Sequence, residues 1–249
     1  MPNATMGRAS APDWLTTLPI AHRGLHDGQR PENTLAAFDA ALARGYPIEL
    51  DVHVLPDGEV VVFHDDDLAR ATGMERRLSQ EDRSSIGAHR VFGSDQVIPS
   101  LREVLARVAG RVPLVIEIKA RDAQVALGPP LLALLSQYRG PFVLQSFNPW
   151  SLAYFRRHAP EIVCGQLGGP LRDDGLKPLE RVASQYLATC LVSRPHFVNY
   201  DLRALPSPWV QRLSRALSLP LLAWTVRSEE DKRKAEALGV NYVFDHVRP

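Results

Sequence analysis

The stretch TLAAFDAALARGYPIELDVHV, residues 34–54, contains a helix pattern followed directly by a strand pattern. Apolar residues recur between Leu35 and Leu42 at the spacing of one helix face. We expect Asn33 to cap this helix at its N-terminus and Gly45 to end it. A helix that leads into an apolar strand is half of the repeat from which parallel sheets are built.

The same alternation continues along the chain. Apolar, β-rich runs predict eight strands, at Pro19–Arg23, Ile48–Val54, Leu114–Lys119, Phe142–Ser146, Ile162–Gly165, Phe197–Tyr200, Leu221–Val226 and Tyr242–Phe244. Helical patterns lie between them, at Thr34–Arg44, Leu101–Ala109, Ala123–Gln137, Pro149–His158, Leu179–Leu191, Ser207–Leu217 and Glu229–Leu238. Strands that alternate with helices predict a parallel sheet with helical crossovers.

Eight strands of this kind in 249 residues predict an α/β fold, a (β/α)8 TIM barrel. The alternative is an open doubly wound sheet, but no Gly-x-Gly-x-x-Gly follows the first strand, which disfavours a dinucleotide-binding version. The longest connection, about 65–100, predicts a short insertion after the second strand. We expect residues 1–13 to form a loose tail and residues 14–249 to form a single catalytic domain.

Composition disfavours several classes of protein. The 29 Lys and Arg against 28 Asp and Glu give a net charge of +1, without the basic excess of a nucleic-acid-binding protein. The two cysteines are too few for a disulfide framework or a thiolate metal site. No apolar run approaches the roughly 18 residues of a membrane span, and no secretory signal pattern opens the chain. We therefore expect a cytoplasmic protein without stable membrane association, whose oligomeric state the sequence leaves open.

Carboxylates interrupt two of the apolar strand patterns. Glu49 and Asp51 are two residues apart, as are Glu117 and Lys119 on the next strand, so each pair projects from one face. In a barrel the active site lies at the C-terminal ends of the strands, where we expect the three carboxylates to converge. They would repel one another without a cation, and oxygen ligands favour Mg²⁺ or Ca²⁺ over Zn²⁺. The alternative is an exposed polar face or a structural ion pair between Glu117 and Lys119.

Cations and histidines accompany these carboxylates. Arg23 and Lys119 beside a divalent metal ion would suit an anionic substrate, above all a phosphate. His22 ends the first predicted strand, and His64 ends a short extended run at Val60–Phe63. Two histidines can divide proton transfer near neutral pH, one as base and one as acid.

The combined pattern resembles the glycerophosphodiester phosphodiesterases. The resemblance runs from His22 to Asp245 and rests on these motifs: His22-Arg23-Gly24, Pro31-Glu32-Asn33-Thr34, Glu49-x-Asp51, Phe63-His64-Asp65, Leu68-x-Arg70-x-Thr72-Gly73, Ile98-Pro99-Ser100-Leu101, Glu117-Ile118-Lys119, Gln145-Ser146-Phe147 and Trp224-Thr225-Val226. It implies a TIM barrel that hydrolyses glycerophosphodiesters to glycerol 3-phosphate and an alcohol.

The resemblance also implies a role for each matching residue. It makes Glu49, Asp51 and Glu117 the metal ligands and His22 and His64 the general acid and base. It makes Arg23 and Lys119 phosphate-binding residues, and it makes Gln145 and Trp224 further substrate-binding residues. Glu32 becomes a metal-shell or orienting carboxylate. Both a cyclic phosphate formed by the glycerol 2-hydroxyl and direct attack by water remain open.

One segment departs from the family pattern. The last strand ends in Phe244-Asp245-His246, where the family often has Thr-Asp near a Pro, so the resemblance assigns Asp245 no role. The short insertion favours a small substrate. Its arginines suit a polar or anionic ligand, although solvated surface charges are the simpler explanation. The alternatives are a lysophospholipase D-like enzyme and a barrel that only binds a phosphorylated ligand.

Overall fold

Eight parallel strands close into a barrel in the computed structural model, which describes residues 9–119, 127–171 and 177–249. The strands are β1 (Ile20–Ala21), β2 (Ile48–Val54), β3 (Val60–Val62), β4 (Leu114–Ile118), β5 (Phe142–Ser146), β6 (Cys164–Gly168), β7 (Phe197–Asp201), β8 (Leu221–Val226) and β9 (Asn241–Phe244). The order around the barrel is β1-β9-β8-β7-β6-β5-β4-β2, and pairing of β1 with β2 closes it. The predicted TIM barrel is confirmed.

Eleven helices lie in the described residues, and most of them pack on the outward-facing apolar residues of the barrel strands. They are α1 (Asp13–Thr17), α2 (Leu35–Arg44), α3 (Ala69–Thr72), α4 (Arg83–Ile86), α5 (Leu101–Val108), α6 (Gly128–Leu135), α7 (Pro149–His158), α8 (Pro178–Gln185), α9 (Cys190–Ser193), α10 (Pro208–Ala216) and α11 (Glu229–Ala237). Short 3₁₀ turns lie at Leu78–Gln80 and Leu202–Ala204. No helix in the described ranges has both the length and the apolar character needed to cross a bilayer.

The barrel interior changes from apolar to polar along the strands. A buried floor near the N-terminal ends is formed by Leu15 of α1 together with Ile20, Val115, Val143, Phe197, Leu222 and Val243. Two residues further along β4, Glu117 has the same strand parity as Val115, and Gln145 repeats this relation to Val143 on β5. The strand period therefore places an apolar floor below a polar mouth.

The insertion after β2 has a small core of its own. Strand β3 pairs antiparallel with β2, and Val61 bridges to Ser100 where the insertion returns. The buried apolar residues of this core are Leu55, Val61, Phe63, Leu68, Ala71, Leu78, Ile86, Val91 and Ile98. Glu81 is buried beneath it, with its carboxylate 3.0 Å from Arg76 Nε and 3.1 Å from His89 Nε2. The insertion is thus a packed segment on the edge of the barrel.

The cap predicted for the helix after β1 is wrong by one residue. Thr34, not Asn33, accepts the capping hydrogen bond from the Ala37 backbone N–H. The Asn33 amide donates instead to Asp51 Oδ2 at 2.8 Å. Gly45 ends α2 as expected, with φ of 71° in the left-handed region that a glycine adopts readily.

Several other boundaries differ from the sequence-based expectations. The strand expected at Ile162–Gly165 lies at Cys164–Gly168, because Ile162 is still in the turn that follows α7. The helix expected at Leu179–Leu191 is divided into α8 and α9, since Leu187 has φ of 57°. Residues 1–8 of the expected tail and residues 123–126 of an expected helix lie outside the described residues. Asp13, the last residue of that tail, begins α1.

Candidate active site

Three carboxylates converge at the mouth of the barrel. Asp51 on β2 lies opposite Glu117 on β4 in the parallel register, and Glu49 is two residues before Asp51 on the same face. One oxygen of each can be chosen so that all three lie within 4.8 Å of one another. Each of the three residues is at most 7% exposed. The predicted convergence is therefore present, and it lies inside the protein.

Burial and mutual repulsion oppose full ionisation of this carboxylate cluster. Burial, followed by the charges of Asp51 and Glu117, raises the pKa of Glu49 well above its ordinary value. Burial also raises the pKa of Glu117. Burial opposes ionisation of Asp51 as well, but Lys119 and Arg23 outweigh it and lower the pKa of Asp51. Without a bound cation, Asp51 is thus the member that keeps its charge most readily.

Two buried cations hold the cluster from opposite sides. Lys119 Nζ lies 3.0 Å from Asp51 Oδ1 and 2.6 Å from Glu117 Oε1. Arg23 Nε lies 3.2 Å from Asp51 Oδ2, and the Arg23 backbone N–H donates to Glu49 Oε2 at 3.0 Å. Although burial opposes their protonation, the adjacent carboxylates raise the pKa of both cations. The ion pairs therefore keep Arg23 and Lys119 charged where an anionic substrate would approach.

The carboxylate cluster fits a divalent cation. Asp51 Oδ1 is buried and accepts no hydrogen bond within the described residues, although the Lys119 ammonium is close to it. An oxygen-only donor set with carboxylates at this spacing suits a hard cation. Glu49, Asp51 and Glu117 are therefore able to hold a metal ion, and a bound ion would remove the repulsion that raises the pKa of Glu49.

The two predicted histidines lie at different edges of the mouth. His22 Nδ1 faces Asp245 Oδ2 at 3.8 Å, and burial lowers the pKa of His22 to about 4. His64 Nδ1 is 2.7 Å from Asp65 Oδ1, and Arg70 Nε holds the other oxygen of Asp65 at 2.7 Å. Asp65 thus orients the His64 ring through Nδ1, whereas His22 Nδ1 faces Asp245 without a hydrogen bond within the described residues.

The remaining predicted residues differ in what they contact. Glu32 Oε1 accepts from Arg23 Nη1 and Arg70 Nη2, each at 2.7 Å, so Glu32 orients cations and is not a member of the carboxylate cluster. Gln145 is beside Glu117 in the β4–β5 register, and its oxygen accepts from Asn199 at 3.0 Å.

Trp224 also places in the site a polar atom that has no hydrogen-bond partner among the described residues. Its ring packs edge-on against Phe147, with the ring centroids 5.6 Å apart. Its indole Nε1 is buried and has no hydrogen-bond partner in the described parts of the chain. An indole N–H without a partner is an available donor for a bound ligand.

Sequence reasoning missed the residues that support this site. Asn33 donates to Asp51 and Asp65 orients His64, while His53 Nε2 lies 3.2 Å from the backbone oxygen of His64. Two of them had a visible signal in the sequence: Asn33 is a polar residue at a helix-cap position, and Asp65 is an acidic residue directly after His64. Their partners could not be inferred, because the contacts depend on how the loops fold back over the strands.

The chain is similar to known proteins in both sequence and structure. The model of the Glycerophosphoryl diester phosphodiesterase family matches residues 22–247. A glycerophosphodiester phosphodiesterase of Caldanaerobacter subterraneus subsp. tengcongensis is 31% identical, over 92% of this chain and 94% of that protein. A human lysophospholipase D is 37% identical over a shorter part, 41% of this chain and 36% of that protein. The structure of an Oleispira antarctica phosphodiesterase with the product sn-glycerol-3-phosphate superposes with a TM-score of 0.75, at 24% identity and covering 91% of this chain and 92% of that one.

A (β/α)8 barrel with a buried carboxylate cluster, two fixed cations and two histidines at its mouth defines a metal-dependent hydrolase of phosphoric diesters. The family match covers this entire constellation, since all of its members lie between residues 22 and 247. The chain therefore belongs to the glycerophosphoryl diester phosphodiesterase family.

Proposed function

We propose that the chain hydrolyses soluble glycerophosphodiesters with small head groups to glycerol 3-phosphate and an alcohol, in the cytoplasm, with Mg²⁺ or Ca²⁺ as its metal ion. The observation that carries this proposal is the buried cluster of Glu49, Asp51 and Glu117, held by Arg23 and Lys119. The two cations almost balance the three carboxylates. A divalent ion would make the mouth net positive, as an anionic phosphodiester requires.

Each residue of the mouth then has a defined task. A divalent ion held by the carboxylate cluster would polarise a phosphoryl oxygen. Arg23 and Lys119 bind the phosphate, and Trp224 Nε1 and Gln145 contact the substrate beside it. His22, kept neutral by burial, accepts a proton from the attacking hydroxyl or water. His64, whose ring Asp65 fixes through Nδ1, donates a proton to the leaving alcohol.

The insertion supports a polar substrate. Arg70 lies on the insertion side of the mouth, where its guanidinium bridges Glu32 and Asp65. Two other arginines of the insertion are also held in ion pairs, Arg76 with Glu81 and Arg83 with Glu103. The Oleispira antarctica relative, which shares this fold, binds sn-glycerol-3-phosphate. We propose residues 14–249 as one catalytic unit with the insertion at about 65–100.

The proposal is tested with a substrate panel and a chelator. We expect turnover of glycerophosphocholine, glycerophosphoethanolamine or glycerophosphoinositol, with glycerol 3-phosphate measured by a coupled dehydrogenase assay. EDTA should abolish turnover, and Mg²⁺, Mn²⁺ or Ca²⁺ should restore it. Full activity in a metal-stripped sample would refute the metal-dependent mechanism. Trp224→Phe is expected to raise KM more than it lowers kcat, since it removes the indole N–H and part of the ring surface but no group that transfers a proton.

A lysophospholipase D activity is the second candidate, favoured by the 37% identity to the human enzyme over 116 residues. It is tested by comparing kcat/KM for glycerophosphocholine and lysophosphatidylcholine. We expect the compound without the acyl chain to be preferred. A preference for the acylated compound that grows with added vesicles would favour the second candidate.

A further inference from the structure

A second group of potential metal ligands lies on the β1–β9 side of the mouth. His22 Nδ1, His26 Nε2 and a carboxylate oxygen of Asp245 can all be chosen within 4.8 Å of one another. Asp245 follows β9, which pairs with β1, and β1 leads directly into His22. We call these three residues the imidazole–carboxylate cluster. It shares no residue with the carboxylate cluster of Glu49, Asp51 and Glu117.

The facing atoms of this cluster are buried and lack hydrogen bonds. His22 Nδ1, His26 Nε2 and Asp245 Oδ1 have no hydrogen-bond partner anywhere in the described ranges. The approach of His26 Nε2 to Asp245 Oδ1 is 2.8 Å, yet it lies outside hydrogen-bond geometry. Two imidazole nitrogens and a carboxylate oxygen therefore face one another, and each offers an electron pair to a cation once the two ring nitrogens are deprotonated.

The surroundings of the cluster provide access and charge. A cavity of about 90 Å³ borders it, lined in part by His26, Asp245 and His246. His246 Nε2 is 3.3 Å from Asp245 Oδ1, and this imidazole is mostly exposed. Arg227 Nε lies 3.6 Å from the other oxygen of Asp245, and its side chain is more than half exposed, so it can swing away. A cation from solvent can therefore reach the imidazole–carboxylate cluster.

We propose that His22, His26 and Asp245 form an inhibitory site for a borderline-soft divalent cation, of which Zn²⁺ is the representative. Two imidazole nitrogens and one carboxylate oxygen are a ligand set that Zn²⁺ accepts readily and that Mg²⁺ and Ca²⁺ do not favour. The two clusters of the mouth thus select different cations by donor type. The inhibitory consequence, unlike the binding itself, rests on the proposed function.

The chemistry of inhibition follows from the ring of His22. Coordination takes the electron pair of Nδ1, and the one remaining ring proton then sits on Nε2. The ring has no further electron pair in its plane, so it accepts no proton near neutral pH. If His22 is the general base, a bound Zn²⁺ should lower kcat by about 10²-fold or more.

The test separates the two clusters by their metal preference. The full-length protein is stripped of metal, saturated with Mg²⁺ and titrated with Zn²⁺ by calorimetry, with Co²⁺ absorption as an optical probe of four-coordinate binding. We expect one Zn²⁺ per chain in the presence of excess Mg²⁺. His26→Ala should weaken Zn²⁺ binding at least about tenfold and relieve the inhibition. Asp245→Asn, an isosteric change, is the second variant and should also weaken binding.

Two control variants make the result decisive. Glu49→Gln weakens the carboxylate cluster and should leave the affinity for Zn²⁺ unchanged. His158→Ala removes a histidine on α7 that lies outside both clusters, so it should also leave the affinity for Zn²⁺ unchanged. The proposal is overturned if no stoichiometric Zn²⁺ binds beside excess Mg²⁺, if binding survives both His26→Ala and Asp245→Asn, or if Glu49→Gln abolishes it. Because calorimetry does not require turnover, absent phosphodiesterase activity would refute the proposed function and leave the Zn²⁺ result interpretable.

Discussion

Replacing Glu49 by Gln should preserve or raise the stability of the metal-free protein and reduce the stabilisation that a bound metal ion provides. In the metal-free protein, at a pH at which Glu49 is ionised, two unit charges at the upper limit of 4.8 Å repel by about 3 kcal/mol at an effective dielectric constant of about 20, an amount that Arg23 and Lys119 partly offset. The Gln side chain retains an oxygen for the Arg23 backbone N–H and removes the charge. We therefore expect E49Q in EDTA to unfold at the same temperature as the wild type or a few degrees higher.

The metal response should change in the opposite direction. An ion at about 100 times its Kd stabilises the wild type by about 2.7 kcal/mol, which corresponds to roughly 5–10 °C for a chain of this size. In E49Q, the loss of one carboxylate ligand should weaken metal affinity about hundredfold. At the same metal concentration the ion then stabilises the variant by only about 0.4 kcal/mol, which shifts its unfolding temperature by roughly one or two degrees. Differential scanning fluorimetry with and without Mg²⁺ measures both quantities.

The pH dependence has a definite sign. The pKa of Glu49 is higher in the folded protein than in the unfolded chain. The stability that this difference contributes is therefore fully present at a pH below the unfolded-state pKa, and it is lost as the pH rises through the folded-state pKa. The metal-free wild type should therefore lose stability with rising pH in that window, and E49Q should lose less. Glu81→Gln is the matched control, since Glu81 is equally buried but pairs with Arg76 and His89. E81Q should be destabilised and keep the full metal shift. An E49Q protein with lower stability in EDTA and a wild-type metal shift would refute the reasoning.

Three further predictions concern the histidines and the floor. His22→Ala and His64→Ala should each lower kcat by about 10²–10⁴-fold, with the double variant losing much less than the product; wild-type kcat in either single variant would exclude the pair. His53→Ala should lower kcat by about tenfold, because His53 contacts the backbone oxygen of His64, and an unchanged kcat would make that contact irrelevant. Leu15→Ala should cost roughly 2–5 kcal/mol of unfolding free energy, measured by urea denaturation, with kcat unchanged, and a loss of activity without a loss of stability would contradict a purely structural floor.

The sequence was sufficient for the barrel because its signals are local. Each apolar run needs only a period of two and each helix a period of 3.6, and neither depends on a distant partner. The convergence of Glu49, Asp51 and Glu117 followed from the same period, since residues two apart share a face and parallel strands share an end. The division of the helix at Leu187 could not be predicted, because a left-handed leucine is imposed by packing and not by local preference.

The contacts that orient the site were beyond sequence reasoning for a different reason. Asn33 looked like a helix cap, but its amide contacts Asp51, 18 positions later in the chain. Asp245 looked like a departure from a family pattern, yet it faces His22 and His26 from the far end of the chain. The second pairing requires the barrel to close β9 onto β1, and neither pairing leaves a periodic trace in the sequence.

The apolar floor beneath the mouth has a kinetic consequence. With Leu15, Phe197 and their neighbours filling the lower barrel, the described residues close the polar interior from below and leave the mouth as its opening. Substrate, both products and any exchanging cation must pass through that opening in turn. The second product to leave blocks the next substrate completely, so it should act as a competitive inhibitor, whereas the product that leaves first should not compete in this way. The pattern of product inhibition therefore reveals the order in which the two products leave. A barrel open at both ends would not show this pattern, because product and substrate would not have to share one opening.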